Sequence, residues 1–409
     1  MNKLYVGIDV GSLDNAVYIM LPDGEKHSSF AVKNNPDGAR TISARVVAAL
    51  TELEIPAAVI GMEATSVYGN NLLYFLREDA ALSRFDRQFH VLNPKQVKKF
   101  KDAHADLPKT DAIDAFVIAD DLRFGRITKA VFEDDYRYTA LQTLTRSRYF
   151  AVQNLVREKQ RFMNLLFMKC SGLAQGDAFS DNFGVAAMEL YDSFETPDAL
   201  ANMDVKQLSA FLAEKGKNRF PDPDKVAKAV IQAAKNSYCL PDPVNASVSQ
   251  ALSISTSSIR AMQIQIKALD AEIERQFENM PNVLTSIHGI GHVYSAGIIA
   301  EIGDINRFGG QASLAKYAGL AWGKHKSGKF EGEETRLIKS GNRYLKYYLC
   351  EAAFSLVRCD TEYKRFYNLK YKEVNKFQHK RALALTARKL VRLVFRLLKD
   401  NRIYKPATA

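Results

Sequence analysis

The sequence lacks most features of secreted, disulfide-bonded or membrane proteins. Its four cysteines are scattered, without a CxxC pair, at Cys170, Cys239, Cys350 and Cys359. Disulfides or a cysteine-ligated zinc are therefore not expected, and a reducing compartment fits. The sequence contains no run of about 18 apolar residues, so no membrane span is expected. The first residues enter a strand-like pattern without the apolar core and cleavage site of a signal peptide, so none is expected.

Charge of one sign is also unevenly placed along the chain. The net charge of the 409 residues is +11. Residues 1–135 hold 16 Lys and Arg against 20 Asp and Glu, whereas residues 281–409 hold 24 against 10. This imbalance predicts a polyanionic partner bound mainly by the back of the chain. A solvated basic surface is the alternative, but the interleaved Tyr and Phe favour nucleic acid.

Residues 1–134 predict an α/β domain with a mixed sheet. Strands are expected at 3–10, 15–21, 28–33, 57–63 and 89–92, from their apolar alternation or buried character. Helices are expected at 35–52, 69–79, 94–103 and 109–125. The order βββαβαβα is that of an RNase H-like (RuvC-like) sheet.

The rest of the chain predicts helices. Residues 135–280 contain two long amphipathic stretches, 136–169 and 248–277, around a proline-interrupted insert. They predict an antiparallel coiled-coil hairpin that acts as a spacer or dimerisation arm. Residues 281–409 form a third predicted domain, basic and mostly helical.

Four carboxylates stand at the ends of predicted elements. Asp9 and Glu63 each end a strand, while Asp111 and Asp114 lie three residues apart at a helix start and so share a face. Taken singly, these residues are explained by a solvated strand end or by an acidic first helical turn capped by Thr110. Converging at one sheet edge, they would suit Mg²⁺ and metal-dependent phosphoryl chemistry.

Two glycine-containing stretches of the third domain suggest contact with phosphate. Gly289 and Gly291, after an apolar lead, predict a helix-hairpin-helix that would contact a nucleic-acid backbone through its N–H groups. A tight helix–helix turn without a ligand is the alternative.

The second stretch is a loop that contains Ser327 followed by glycine. Its cationic residues are Lys324, Lys326 and Lys329, and Arg343 follows a second Ser-Gly pair at Ser340. Neighbouring cations could activate a serine and stabilise a phosphate. From the residues alone, a loop that binds phosphate without reacting is the simpler interpretation.

Six motifs in order resemble one family. They are Gly-Ile-Asp9-Val-Gly, Gly-Met-Glu63-Ala-Thr, Lys-Thr-Asp111-Ala-Ile-Asp114-Ala, Gly289-Ile-Gly291, Tyr317-Ala-Gly-Leu and Ser327-Gly. The set resembles the DEDD insertion-sequence transposases related to the Piv invertase, which are recombinases guided by a bridge RNA. The resemblance covers nearly the whole chain.

The resemblance implies a mechanism. The acidic tetrad would fall on Asp9, Glu63, Asp111 and Asp114 with Mg²⁺, and the serine nucleophile on Ser327, with Ser340 as the rival. Attack on DNA would give a covalent intermediate, strand exchange and rejoining. The implied partners are donor and target DNA, an element-encoded guide RNA, and further copies of the chain in a dimer or tetramer. The implied location is the cytoplasm and nucleoid of a bacterium or archaeon.

Two departures from the family pattern, the long middle segment and Trp322 where many relatives have proline, bear on the coiled-coil geometry more than on the chemistry.

Three other functions remain open. A Holliday-junction resolvase-like nuclease needs only the tetrad and water. An ATPase of the actin and sugar-kinase class shares the Gly-Ile-Asp9-Val-Gly pattern, but no second phosphate loop is found. A nucleic-acid scaffold would have no activity at all.

Overall fold

The structure is a computed structural model, and it describes residues 2–64, 67–104, 108, 110–125, 136–323, 326–327, 330–331 and 336–405. The chain forms two compact units, Met1–Asp134 and Asp135–Ala409. Among the described residues, no helix combines the length and apolar character needed to cross a bilayer.

The first unit is built on a five-stranded mixed sheet. Its strands are β1 (Lys3–Val10), β2 (Asp14–Met20), β3 (Lys26–Lys33), β4 (Ala57–Glu63) and β5 (Asp86–Leu92). The sheet order is β3-β2-β1-β4-β5, in which β1, β2 and β3 pair antiparallel and β4 and β5 run parallel to β1. The predicted RNase H-like order is therefore confirmed.

Helices cover both faces of this sheet because alternate residues of β1 and β4 point to opposite sides. The helices are α1 (Pro36–Glu52), α2 (Tyr68–Glu78), α3 (Pro94–Lys101) and α4 (Asp111–Phe124). Leu4, Val6 and Ile8 form one core with α1 and α2, whereas Val59 packs with α3 and α4 on the other face. Strand β5 starts three residues earlier than predicted, because as an edge strand it tolerates the polar residues Asp86, Arg87 and Gln88.

The second unit begins with a long helix and returns along it. Helix α5 (Tyr136–Lys169) leads into five shorter helices, α6 (Ser171–Gln175), α7 (Val185–Ser193), α8 (Pro197–Ala201), α9 (Val205–Lys215) and α10 (Pro223–Lys235), and then into α11 (Asp242–Phe277).

Helices α5 and α11 pack antiparallel. Arg148 pairs with Asp270, and the Ser255 hydroxyl donates to Glu158 Oε1 at 2.6 Å, so one residue number falls as the other rises. The helical hairpin is thus present, while its coiled-coil character stays a prediction.

The remainder of the unit packs around one hydrophobic core. It comprises α12 (His292–Ile302), α13 (Gln311–Tyr317), the short strands β6 (Trp322–Gly323), β7 (Lys326–Ser327), β8 (Phe330–Glu331) and β9 (Arg336–Leu337), and then α14 (Arg343–Cys359), α15 (Thr361–Lys372) and α16 (Gln378–Asp400). Strand β6 pairs antiparallel with β9, and β7 with β8.

Candidate active site

The ends of β1 and β4 bring two predicted site residues together. These strands are parallel neighbours with Gly7 opposite Gly61 and Ile8 opposite Met62. Continuing this register by one residue sets Asp9 beside Glu63, on the face of the sheet that carries the two glycines. The two carboxylates therefore meet at one edge because of strand pairing.

Helix α4 adds the other two carboxylates from above the sheet. Thr110 caps the helix by accepting a hydrogen bond from the Ile113 N–H at 3.4 Å, and Asp111 and Asp114 occupy the first turn. The helix can lie directly on β1 because Gly7 has no side chain: a Cβ there would stand 2.1 Å from the Ala115 carbonyl oxygen. Close packing thus carries the acidic first turn toward Asp9.

The electrostatics of Asp9 reflect this crowding. Burial, followed by repulsion from Asp114, Asp111 and Glu63, raises the pKa of Asp9 from 3.8 to about 6, with Lys101 acting in the opposite direction. Burial and the charge of Asp114 also raise the pKa of Glu63. A half-buried Asp9 surrounded by three further carboxylates forms a site that favours a cation.

One cation is supplied by the chain itself. The Lys101 ammonium, at the end of α3, donates to Asp114 Oδ1 at 2.5 Å, and both side chains are mostly shielded from solvent. Sequence reasoning missed this lysine, because its partner lies 13 residues away and the three other lysines of α3 give the same local signal.

A cleft of about 370 Å³ opens beside the acidic residues. Asp9 and Asp111 line it together with Asp14, Ser29 and other residues of β2 and β3. Asp14 forms a solvent-exposed ion pair with Lys33 at 2.8 Å, so it belongs to the rim. The cleft therefore reaches the acidic edge.

The donor set fits a hard divalent cation by its chemistry, since carboxylate oxygens are the ligands that Mg²⁺ prefers. Within the described part of the chain, however, no three His, Cys, Asp or Glu side chains are gathered closely enough to hold one ion. Lys101 engages Asp114 in this arrangement. A cation would therefore compete with the lysine for that carboxylate.

The serine loop belongs to the second unit and connects α13 with α14. The backbone of Ser327 lies in β7, opposite Phe330 of β8. The side chains of Ser327 and Lys326, and all of Lys324 and Lys329, lie outside the described residues.

Both predicted residues at the base of that loop are exposed. Ser340 lies in the segment before α14, and Arg343 is the first residue of the helix.

The base of this loop is held by backbone contacts. The Asn342 N–H donates to the Tyr317 carbonyl at 2.6 Å, and the Ile338 N–H to the Ala321 carbonyl at 2.9 Å. Gly341 packs so closely on Gly319 that a Cβ on it would stand 2.5 Å from the Gly319 Cα. The Tyr317-Ala-Gly stretch and the second Ser-Gly pair, Ser340-Gly341, therefore meet at the base of the loop.

A buried carboxylate lies beneath this base. Glu301 of α12 accepts two hydrogen bonds from Arg146 of α5, at 2.7 and 2.9 Å, and one from Asn342 Nδ2 at 2.6 Å. Its side chain is fully buried. The Asn342 Oδ1 in turn accepts from the N–H groups of Tyr344 and Leu345, capping α14. Sequence reasoning missed Glu301, because its partner Arg146 is 155 residues away.

The predicted helix-hairpin-helix surrounds Gly289 and Gly291. Gly289 has φ of 97° and packs against Cys359, whereas a Cβ on Gly291 would meet open space. Before them lies a single 3₁₀ turn, Leu284–Ser286, and after them α12. Gly291 is exposed and Gly289 only partly so, and the motif itself stays a prediction.

Comparison with known families identifies two segments of the chain. Residues 6–168 match the family model DEDD_Tnp_IS110, described as a transposase, and residues 282–368 match the transposase IS116/IS110/IS902 family. The matches define a transposase with a DEDD domain at its front. Together they span more than half of the chain, which belongs to the IS116/IS110/IS902 family of transposases.

Curated relatives align over nearly the full length. The uncharacterised 44.8 kDa protein of insertion element IS116 from Streptomyces clavuligerus is 26% identical over 99% of this chain and 97% of its own length. The uncharacterised 42 kDa protein of IS900 from Mycobacterium paratuberculosis is 26% identical over 99% of this chain and 98% of its own length. The front and back segments thus occur together in similar proteins.

Two solved structures resemble part of the chain. RuvC of T. thermophilus in complex with a Holliday junction substrate is 17% identical, with 32% of this chain and 98% of that chain covered and a TM-score of 0.25. The Thermus thermophilus RuvC structure is 19% identical, with 31% and 98% covered and a TM-score of 0.24. At these scores the likeness adds nothing to the strand order described above.

Proposed function

We propose that this transposase moves an insertion sequence by exchanging DNA phosphodiester bonds at two groups of residues. The acidic centre of Asp9, Glu63, Asp111 and Asp114 binds Mg²⁺ and the scissile phosphate, and Ser327 is the nucleophile. The observation that carries the proposal is the convergence of these carboxylates at one sheet edge, where burial and then repulsion from the other three raise the pKa of Asp9 to about 6. Mg²⁺, when bound, supplies charge neutralisation at the phosphate.

The proposed serine step conserves phosphodiester bonds. The Ser327 Oγ–P bond forms as the bond from phosphorus to one deoxyribose oxygen breaks, and the serine proton is transferred while the leaving oxygen takes one up. A DNA hydroxyl then attacks the phosphoserine, which restores the serine and rejoins a strand. Because one phosphate ester replaces another, the reaction requires no nucleoside triphosphate.

Partner choice is the remaining part of the proposal. An element-encoded guide RNA pairs with donor and target DNA, the basic lysines of the loop and Arg343 contact nucleic acid, and Gly289 and Gly291 contact its backbone. Two or four copies of the chain assemble, so the acidic centre and serine of one reaction can come from different copies. The excess of 14 positive charges over residues 281–409 supports a polyanionic partner.

The acidic centre is tested by paired substitutions in one cleft. Asp9→Asn is expected to reduce DNA strand transfer by at least about 100-fold, as loss of a main transition-state contact does. Asp14→Asn removes a carboxylate that lines the same cleft but pairs with Lys33, and it should retain activity. Equal activity in the two variants would contradict the site.

The nucleophile is tested by trapping the protein–DNA adduct with denaturant. Ser327→Ala is expected to abolish the adduct, while Ser340→Ala retains it. An adduct that forms with Ser327→Ala and disappears with Ser340→Ala would transfer the role to the rival serine.

The RNA-guided part is tested by reconstitution. The purified chain, Mg²⁺ and both DNAs should recombine only after transcript from the DNA flanking the gene is added. Recombination that proceeds equally without RNA would contradict it.

A resolvase-like nuclease is the second candidate, because the four carboxylates all lie within the first unit. That function uses water as the nucleophile. It would give multiple turnovers of cleavage with no adduct, and Ser327→Ala would cleave normally.

A further inference from the structure

One face of α5 carries exposed side chains suited to a nucleic-acid strand. At spacings of three and four residues, which share a helix face, the exposed residues are Ser147, Phe150, Asn154, Arg157 and Arg161. From Phe150 to Arg161 this face extends about 16 Å along the helix axis. We call these five residues the α5 face.

The α5 face has positive charge without compensation. The helix contains a single carboxylate, Glu158, and that residue is turned toward α11, where it accepts a hydrogen bond from Ser255. In the part of the chain that the structure describes, neither Arg157 nor Arg161 forms an ion pair with a carboxylate. Arg157 donates a hydrogen bond to the amide oxygen of Asn154, which carries no charge. Both guanidinium groups thus remain available for phosphate.

An aromatic group lies at one end of this face. The Phe150 ring, with 44% of the residue exposed, meets the Tyr344 ring edge to face at 5.9 Å. The Arg343 guanidinium lies 5.5 Å from the centre of the Phe150 ring and 4.9 Å from that of Tyr344, and it donates to the Tyr344 hydroxyl at 2.8 Å. An exposed ring beside an exposed guanidinium is a typical stacking site for an unpaired base.

Packing between helices explains only part of this group. Tyr149 and Tyr347 are half-buried and join α5 to α14, with ring centres 5.0 Å apart. Phe150 meets Tyr149 edge to face, with ring centres 5.5 Å apart, and still has 44% of its surface exposed. Its exposure, its guanidinium neighbour and its alignment with Arg157 and Arg161 distinguish it from a ring that only packs.

We propose that the α5 face binds an unpaired DNA strand, with phosphates on Arg157 and Arg161 and one base stacked on Phe150 beside Arg343. Arg157 and Arg161 lie about 6 Å apart along the axis, so they can contact successive phosphates. The choice of DNA rests on the proposed strand transfer, which exposes unpaired strand ends. Arg343 begins α14 directly after the base of the serine loop, so the bound strand would pass close to that base.

Binding measurements on the full chain test this proposal separately from catalysis. A fluorescent poly-dT oligonucleotide, a DNA duplex of the same length and poly-U RNA are compared by anisotropy in EDTA, over a range of salt concentrations. Phe150→Ala should weaken poly-dT binding about tenfold with an unchanged salt slope, because stacking involves no counterion. Phe150→Tyr should bind as the original chain does.

The arginines should give the opposite signature. Arg157→Gln and Arg161→Gln are each expected to lower the salt slope for a single strand by about 0.7, because each releases one fewer counterion. Matched controls lie elsewhere in the unit: Ile264→Ala removes an exposed apolar side chain of α11, and Lys225→Gln removes an exposed charge of α10. Both controls should bind poly-dT normally.

Three results would overturn the proposal. One is a change of less than twofold with Phe150→Ala, and another is duplex binding as tight as poly-dT binding. The third is tighter binding of poly-U with the same dependence on Phe150, which would assign the face to RNA. These affinities are measured in EDTA, where the proposed metal-dependent strand transfer does not occur, so failure of the proposed catalytic function and failure of this surface are separable.

Discussion

The close approach of α4 to β1 gives the sharpest test of how the acidic edge is built. A Cβ on Gly7 would stand 2.1 Å from the Ala115 carbonyl oxygen and 2.5 Å from the Ala119 backbone nitrogen. Both atoms belong to the backbone, so Gly7→Ala cannot be accommodated by a rotamer change. We expect α4 to retreat by roughly 1 Å or more, which moves Asp111 and Asp114 away from Asp9.

The expected cost has two parts. Overpacking of a filled core typically destabilises by about 1–3 kcal/mol, and a backbone contact places Gly7→Ala near the upper value. Displacement of reacting groups by about 1 Å can reduce catalysis about 100-fold. Urea unfolding followed by circular dichroism measures the first effect, and DNA strand transfer measures the second.

A neighbouring glycine gives a matched comparison. A Cβ on Gly61 would meet the Leu122 side chain at 2.8 Å rather than backbone. The double variant Gly61→Ala with Leu122→Ala should therefore be more stable than the two single costs predict, a coupling that a double-mutant cycle detects. Gly309→Ala is the control, since nothing lies within 4 Å of its Cβ position. Gly7→Ala with the original unfolding midpoint would refute the reasoning.

Three further outcomes are expected. The pKa of Asp9 is about 6 in the folded chain and 3.8 ordinarily, so the metal-free folded state binds more protons than the unfolded state between these pH values. The free energy of unfolding should therefore fall as pH rises through that window. Asp9→Asn should flatten this fall in urea titrations. Glu301→Ala should destabilise by about 3 kcal/mol, since it breaks a buried network, whereas Glu189→Ala, from an exposed ion pair with Arg260, should cost below about 1 kcal/mol in the same assay. Lys101→Met should tighten Mg²⁺ binding several-fold in calorimetry, because it removes the competing ammonium from Asp114.

Each of these outcomes can be contradicted. A pH dependence identical in Asp9→Asn would remove the charge coupling as its cause. Equal losses in Glu301→Ala and Glu189→Ala would mean that burial of Glu301 adds nothing. Weaker Mg²⁺ binding by Lys101→Met would show that the lysine supports the site instead of competing for it.

Local sequence patterns predict the strands and helices well, because the spacing of apolar residues within each element follows the period of that element. The alternation in β1 predicts a strand over residues 3–10, and the apolar spacing in α5 predicts a helix over 136–169. Both ranges match the observed elements. The pairing of Asp111 with Asp114 on one helix face likewise follows from their spacing of three. The candidate acidic residues could therefore be named from the sequence.

Other parts of the site depend on contacts between distant residues, which no local period records. Lys101 reaches Asp114 only because α3 returns beside α4, and Glu301 meets Arg146 only because α5 packs against α12. Phe150 and Arg343 are almost 200 residues apart in the chain but adjacent in space. The sequence of a helix does not show which of its side chains contact distant residues, because those contacts depend on the packing of other elements.

The sequence by itself thus determined the strands, the long helices and the identity of four carboxylates with their family resemblance. The tertiary structure alone decided that two glycines let α4 pack directly on the sheet, and that a lysine faces the acids. The physical reason is that propensity and periodicity act over a few residues. Strand pairing and close packing are set by burial summed over the whole unit.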